Sequence, residues 1–278
     1  MTLPPPECLL NRRRLDLACG LSLLTRLPVG WLAPATCTTG TNPWPMARSI
    51  WCWPIIAALI GGMTGIVLAV LRTAHVPALA AAGLALACQT LLTGGLHEDG
   101  LADMADGYGG ATPERRLAIM RDSHVGSYGV MALGLSLLIR TAALAALAAL
   151  PVWAGIGACA ITACLARMAM LLVPVLTPPA RTEGLASMLY PLPQYSVIGA
   201  AFGATGLLAG LTMGCLGAGL PAWVYLAHIC APVGIACATA VLVATYARRL
   251  LGGFTGDVLG CCAVLAECLL LSFYAALT

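Results

Sequence analysis

The sequence predicts an all-α, polytopic integral membrane protein: a helical bundle of about seven transmembrane helices plus an N-terminal interfacial helix. Three observations carry this prediction. Hydrophobic residues fill 60% of the 278 positions and charged residues only 9%, against about 25% charged in a soluble domain. Apolar runs of about 20 residues recur, long enough to cross a hydrocarbon core of about 30 Å. The runs are continuous rather than alternating at every second residue, unlike the strands of a transmembrane barrel.

The elements follow in order. The Pro-rich start, Leu3 to Glu7, is expected to be disordered, and with it residues 1–14. Arg12, Arg13 and Arg14 then precede the apolar run Leu15–Leu24, which has the outline of a signal peptide. Asp16 and Arg26 flank that short run and no small-residue cleavage site follows, so the segment reads as a retained amphipathic helix at the membrane surface. Seven candidate spans come next: Ile50–Leu71, Pro77–Leu96, Gly129–Leu150, Val152–Val175, Ser196–Gly217, Ala222–Tyr246 and Val258–Leu277. No internal repeat or separate soluble domain interrupts them, so residues 1–278 read as one transmembrane domain. The 13 cysteines are scattered through apolar segments without a Cys-x-x-Cys pair, and read as small packing residues rather than disulfide or zinc ligands.

All 14 basic residues are arginines, and they set the orientation. Arg12, Arg13, Arg14, Arg26 and Arg48 precede the first span. With that end cytoplasmic, loop 97–128 (Arg115, Arg116, Arg121), loop 177–195 (Arg181) and loop 247–257 (Arg248, Arg249) are cytoplasmic too. The opposite loops carry only Arg72. The net charge of +3 is too mild to suggest a nucleic-acid partner.

Six of the 11 acids lie between Glu98 and Asp122. Asp99, Asp103 and Asp106 are spaced four and then three apart, which places them on one helix face. Like charges so placed repel, so the face calls for a cation. Carboxylates are the ligands of Mg²⁺, which is commonly held together with substrate phosphates. Gly100, Gly107, Gly109 and Gly110 would let backbone approach a bulky phosphorylated ligand. A solvated acidic helix end and a cation-transport site are the alternatives. Downstream, RRLAIMRDSHVGSYG offers Arg115, Arg116 and Arg121 as phosphate clamps or as positive-side anchors. Asp122, with Ser123, opens a glycine-spaced turn, as a further metal ligand or as a helix cap. His97 and His124 are candidate proton acceptors.

A second constellation is GGFTGDVLG, Gly252–Gly260. Asp257 opens the last span, where an acid also suits a helix N-terminus. Glu267 lies ten residues on, inside an apolar run where a carboxylate is expensive. The two are about 15 Å apart along a helix, too far to share an ion, so Glu267 is expected to pair with Arg167 or Arg140. Arg181 and Glu183 of RTEGL are exposed candidates.

These strings together resemble the cobalamin synthases, the adenosylcobinamide-GDP ribazoletransferases of vitamin B12 biosynthesis. The likeness covers nearly the whole chain. It comprises TRLP (Thr25–Pro28), Pro54, Gly61, GGLHEDGLADMADG (Gly94–Gly107), IMRDSHVGSYG (Ile119–Gly129), Arg167, RTEGL (Arg181–Leu185) and GGFTGDVLG (Gly252–Gly260). Two positions depart from the family pattern: Glu98 stands where an apolar residue is common, and Val264 where many relatives carry an acid.

The resemblance implies a Mg²⁺-dependent enzyme of the bacterial inner membrane. A ribose hydroxyl of α-ribazole, or of its 5′-phosphate, attacks the cobinamide-side phosphorus of adenosylcobinamide-GDP and GMP leaves. On this reading Asp99, Asp103 and Asp106 hold Mg²⁺ on the diphosphate, with Asp122 or Asp257 completing the set and His97 as general base. Arg115, Arg116, Arg121, Ser123, Arg181, Asp257 and Glu267 form the expected substrate-binding set. The partners are these small molecules and the lipid bilayer; a homo-oligomer or an assembly of pathway enzymes stays open. Two rivals are weighed. A CDP-alcohol phosphotransferase shares DMADG at Asp103–Gly107, but Gly110 and Ala111 stand where its Ala-Arg pair belongs. A cation or corrinoid transporter fits the architecture but not the clustering of acids on one side.

Overall fold

The computed structural model of the chain describes residues 6–32, 46–184, 186–216 and 221–278. Eleven α-helices run through these residues, and the one sheet-like feature among them is an isolated bridge between Pro179 and Phe254. Helix α1 is Pro6–Leu24. Helix α2, Met46–Ser49, passes through a 3₁₀ turn at Ile50–Cys52 into α3, Trp53–Thr73. Then come α4 (Ala78–Thr93), α5 (Leu96–Gly107), α6 (Pro113–Ile119), α7 (Ser127–Leu147), α8 (Val152–Leu176), α9 (Gln194–Leu216), α10 (Ala222–Leu251) and α11 (Gly256–Ala275). Six helices are long and apolar enough to cross a membrane, and a seventh span is counted when the bent pair α4–α5 is taken as one. The chain is a multi-pass helical membrane protein.

The ends of the helices follow local chemistry. Pro77, Pro151 and Pro221 stand extended immediately before α4, α8 and α10; proline presets φ and lacks the N–H that a first turn cannot use. Thr112 and Thr255 cap α6 and α11 by accepting the N–H of Arg115 and Val258, each at 3.3 Å.

Two expectations are corrected here. Helix α1 begins at Pro6, so residues 6–14 are helical rather than disordered; residues 1–5 lie outside the described set. Its inner face buries Asp16, which pairs with Arg48 at 2.6 Å and ties α1 to the start of the first span. The second correction is larger. Pro77–Leu96 is not one straight span followed by a loop. Gly94 and Gly95 both take left-handed conformations, φ 71° and 69°, which L side chains avoid. They bend the chain by 91°, and residues 96–107 continue as helix α5.

Helix α8 is the bundle's axis, packed by α3, α11, α10 and α9. Lipid is as apolar as leucine, so close backbone approach rather than hydrophobic exclusion holds membrane helices together. Gly61 and Gly65, one turn apart on α3, provide it. A Cβ on Gly65 would lie 2.7 Å from Ile156 Cα, and one on Gly61 would strike the carbonyl of Cys159. Ten cysteines, from Cys19 to Cys268, are free, and seven of these are buried in packing positions.

Candidate active site

The bend at Gly94–Gly95 turns α5 against the first turns of α11. Gly100 makes the contact: a Cβ there would sit 2.8 Å from the Asp257 carbonyl and 3.2 Å from Gly260 Cα. Gly260 answers it, with His97 backbone 3.1 Å from its own would-be Cβ. Asp99 is thereby brought beside Asp257, near enough for their charges to act on one another. Gly100 thus gives room to a helix rather than to the phosphorylated ligand the sequence predicts. Gly107 and Gly110 likewise give room to Met120 and to the Arg116 backbone. Gly100→Val is expected to force α5 off α11 and cost about 1–3 kcal/mol, read as a lower unfolding midpoint in detergent.

The third wall comes from loop 177–195. Ala180 N–H donates to the Phe254 carbonyl at 2.8 Å, and Phe254 N–H to the Pro178 carbonyl at 2.9 Å. This clasp lays the loop over the start of α11. Between the three walls lies a cavity of ≈ 240 Å³ lined by His97, Asp99, Arg181, Glu183, Thr255 and Asp257, with Leu24, Trp53, Met170 and Phe254 as its apolar side. Segments 97–99, 181–184 and 254–260, separate in sequence, meet there.

The predicted site residues divide. His97, Asp99, Arg181 and Asp257 line the cavity together. Asp103 is one turn further along α5, half-buried, within the electrostatic reach of Asp99, Asp257 and Asp106. Asp106 is diverted from the expected metal set. Its two carboxylate oxygens accept the N–H groups of Gly126 (2.7 Å) and Gly129 (2.8 Å), so it caps α7. Asp106→Ala is expected to cost about 0.5–2 kcal/mol of stability and to leave turnover within about ten-fold of wild type, unlike the Asp99 and Asp257 variants.

Asp122 also turns away, accepting from its neighbour His124 at both N–H (3.0 Å) and ring (2.7 Å). The His124 hydrogen bonds hold its carboxyl below the usual range. Ser123 and Arg115 are exposed outside the cavity. Arg116 donates to the Leu250 carbonyl at 3.1 Å, fastening α6 to the end of α10. Arg181 donates to the Leu117 carbonyl at 2.9 Å and has Arg121 as a charged neighbour. Burial, and then the Arg121 charge, push the Arg181 guanidinium below its usual range, a condition an anion would relieve.

Glu267 is not at the cavity wall. It is buried, paired with Arg167 and, at 3.2 Å, with Arg140. Sequence reasoning named both partners. It missed Glu98, which takes Arg140 at 2.8 Å, and Gln89, which donates to Glu267 at 3.3 Å. The result is a buried network of two arginines, two glutamates and a glutamine joining α4, α5, α7, α8 and α11.

Among the described residues no three His, Cys, Asp or Glu side chains converge as a ready-made metal cage. That is compatible with Mg²⁺, which is held by one or two carboxylates, waters and substrate phosphates rather than by an all-protein cage. Asp99 and Asp257, with Asp103 behind them, are the donors of the right chemistry.

Fold and cavity define a class: a multi-pass membrane protein with a charged, acid-lined chamber built where a broken helix meets the last span. The chain belongs to the cobalamin-5-phosphate synthase family, whose model matches residues 16–275. It is 39% identical over 246 residues to the adenosylcobinamide-GDP ribazoletransferase of Bradyrhizobium diazoefficiens, covering 88% of this chain and 87% of that one. It is 38% identical over 255 residues to the enzyme of the same name from Azorhizobium caulinodans, covering 91% and 92%. No solved structure matches.

Proposed function

We propose that this chain joins adenosylcobinamide-GDP to α-ribazole, or to α-ribazole 5′-phosphate, giving adenosylcobalamin or its 5′-phosphate and GMP. The observation that supports it most is the convergence of Asp99, Asp257, His97 and Arg181 on one cavity, from three of the segments that carry the family likeness. The ribose hydroxyl oxygen forms a bond to the cobinamide-side phosphorus, the bond from that phosphorus to the GMP oxygen breaks, and the hydroxyl proton is lost. Such transfer asks little covalent chemistry of the protein. It asks for positioning and for neutralised charge on the diphosphate.

Asp99 and Asp257, assisted by Asp103, hold Mg²⁺ in this proposal; bound there, the ion neutralises charge on the diphosphate and its leaving GMP. Arg181 and Arg121 attract the remaining phosphate oxygens at the cavity's loop side. The apolar wall of Trp53, Leu24 and Phe254 keeps bulk water from the phosphorus. The arginine bias supports a cytoplasmic location for this end of the bundle, where nucleotide-activated substrates reside, and on this reading the membrane is the bacterial inner membrane.

The test is product analysis with the detergent-purified protein, adenosylcobinamide-GDP, acceptor and Mg²⁺. GMP and an extended corrinoid are expected in equal amounts. Corrinoid uptake into liposomes without GMP release would favour a transporter instead.

A further inference from the structure

The buried network ends on His97, and its chemistry fixes what that histidine can do. Arg167 Nη2 lies 3.5 Å from His97 Nδ1. A guanidinium has donors and no acceptor, so the ring nitrogen that faces it must be the unprotonated one. The ring's single proton then sits on Nε2, which has no protein partner among the described residues, and His97 is one of the residues that line the cavity with Asp99. Arg167 cannot swing away to release the ring. It is ion-paired with Glu267, which Arg140 and Gln89 also hold. Arg140 in turn grips Glu98, the residue next to His97 on the same helix. Both ends of the network therefore close on the first turn of α5.

We propose that His97 is a fixed hydrogen-bond donor, presenting Nε2–H to a phosphate oxygen of the diphosphate substrate, and does not serve as the general base. The family reading makes His97 a candidate general base, and the sequence alone offers it only as a possible proton acceptor. The structure gives the acceptor nitrogen to Arg167 instead. The inference rests on the transferase reading for the identity of the ligand, but the tautomer stands on the protein alone.

Two measurements test it. The first is kinetic. His97→Gln keeps an N–H close to the position of Nε2, His97→Asn places its amide nearer Nδ1, and His97→Ala has neither. The expected result is that the Gln variant keeps kcat within about ten-fold of wild type while Asn and Ala lose about 10²-fold, the scale of one lost oxyanion donor. A folded Gln variant as inactive as Ala would overturn the proposal. The second uses the unaltered protein, labelled with ¹⁵N-histidine: the His97 resonances should show Nδ1 unprotonated and Nε2 protonated, and protonation at Nδ1 contradicts it. A wild-type protein that makes no GMP sinks the transferase reading, while the labelled ring still reports on the tautomer.

Discussion

Replacing Asp257 with Asn is expected to lower turnover by about 10³-fold while the protein stays folded, and Asp99→Asn to do the same. The size follows from removing an electrostatic contact to a charged phosphoryl group, where one such contact is worth about 10²–10³ in rate, and from the proposal that both carboxylates hold one ion. The fold should tolerate either change. Asp257 sits in the first turn of α11, whose cap is the Thr255 hydroxyl at 3.3 Å from Val258 N–H; Asn leaves that cap in place. Asp99 is exposed to the cavity. A high Mg²⁺ concentration should recover part of the activity in the single variants and none in the double. Steady-state kinetics across a Mg²⁺ series checks this, and full activity in either single variant at low Mg²⁺ contradicts it.

The second large effect concerns stability. Glu267→Leu leaves the Arg167 guanidinium buried with no carboxylate, because its one acidic partner among the described residues is Glu267. Breaking a buried pair by removing one member costs about 3–5 kcal/mol, far more than the pair itself is worth. Arg140 survives the change because Glu98 still holds it at 2.8 Å. The double variant Arg167→Met with Glu267→Leu removes one charge of each sign and leaves the Arg140–Glu98 pair intact. It is expected to recover most of the lost stability, as a double-mutant cycle of unfolding midpoints in detergent will show. Equal destabilisation by the single and double variants would mean that the network does not act as coupled charges. The double variant should still be catalytically impaired, since His97 then lacks the group that orders its ring.

Much of this architecture is legible in the sequence because membrane crossing is a local property. Each of the predicted spans from Gly129 onward matches a helix of the structure to within a few residues, apart from α10, which runs on to Leu251. The broken helix was not legible. Gly94 and Gly95 stand in a run of glycines that chemistry could equally assign to a phosphate loop, and only their φ values show that they are a hinge. Asp106 forms a cap that is hidden in the sequence for a related reason. Its spacing from Asp103 is that of a metal face, but its partners, Gly126 and Gly129, are 20 and 23 residues away, and such a remote cap leaves no local signal. Glu98 fell outside the expected ligands because it departs from the family pattern; the departure is explained by Arg140 on α7. Glu267, by contrast, was readable: a carboxylate inside an apolar span needs a cation, and the sequence holds few within the membrane.

The central claim is that one metal–diphosphate site, between α5, α11 and loop 177–195, carries the transfer. The most direct test is turnover of adenosylcobinamide-GDP by purified wild-type protein before and after removal of divalent ions with EDTA. GMP and corrinoid product are both expected to stop with EDTA, to return on adding Mg²⁺, and to fail to return in the Asp99→Asn/Asp257→Asn double variant. Undiminished product in EDTA, or in that double variant, would contradict it.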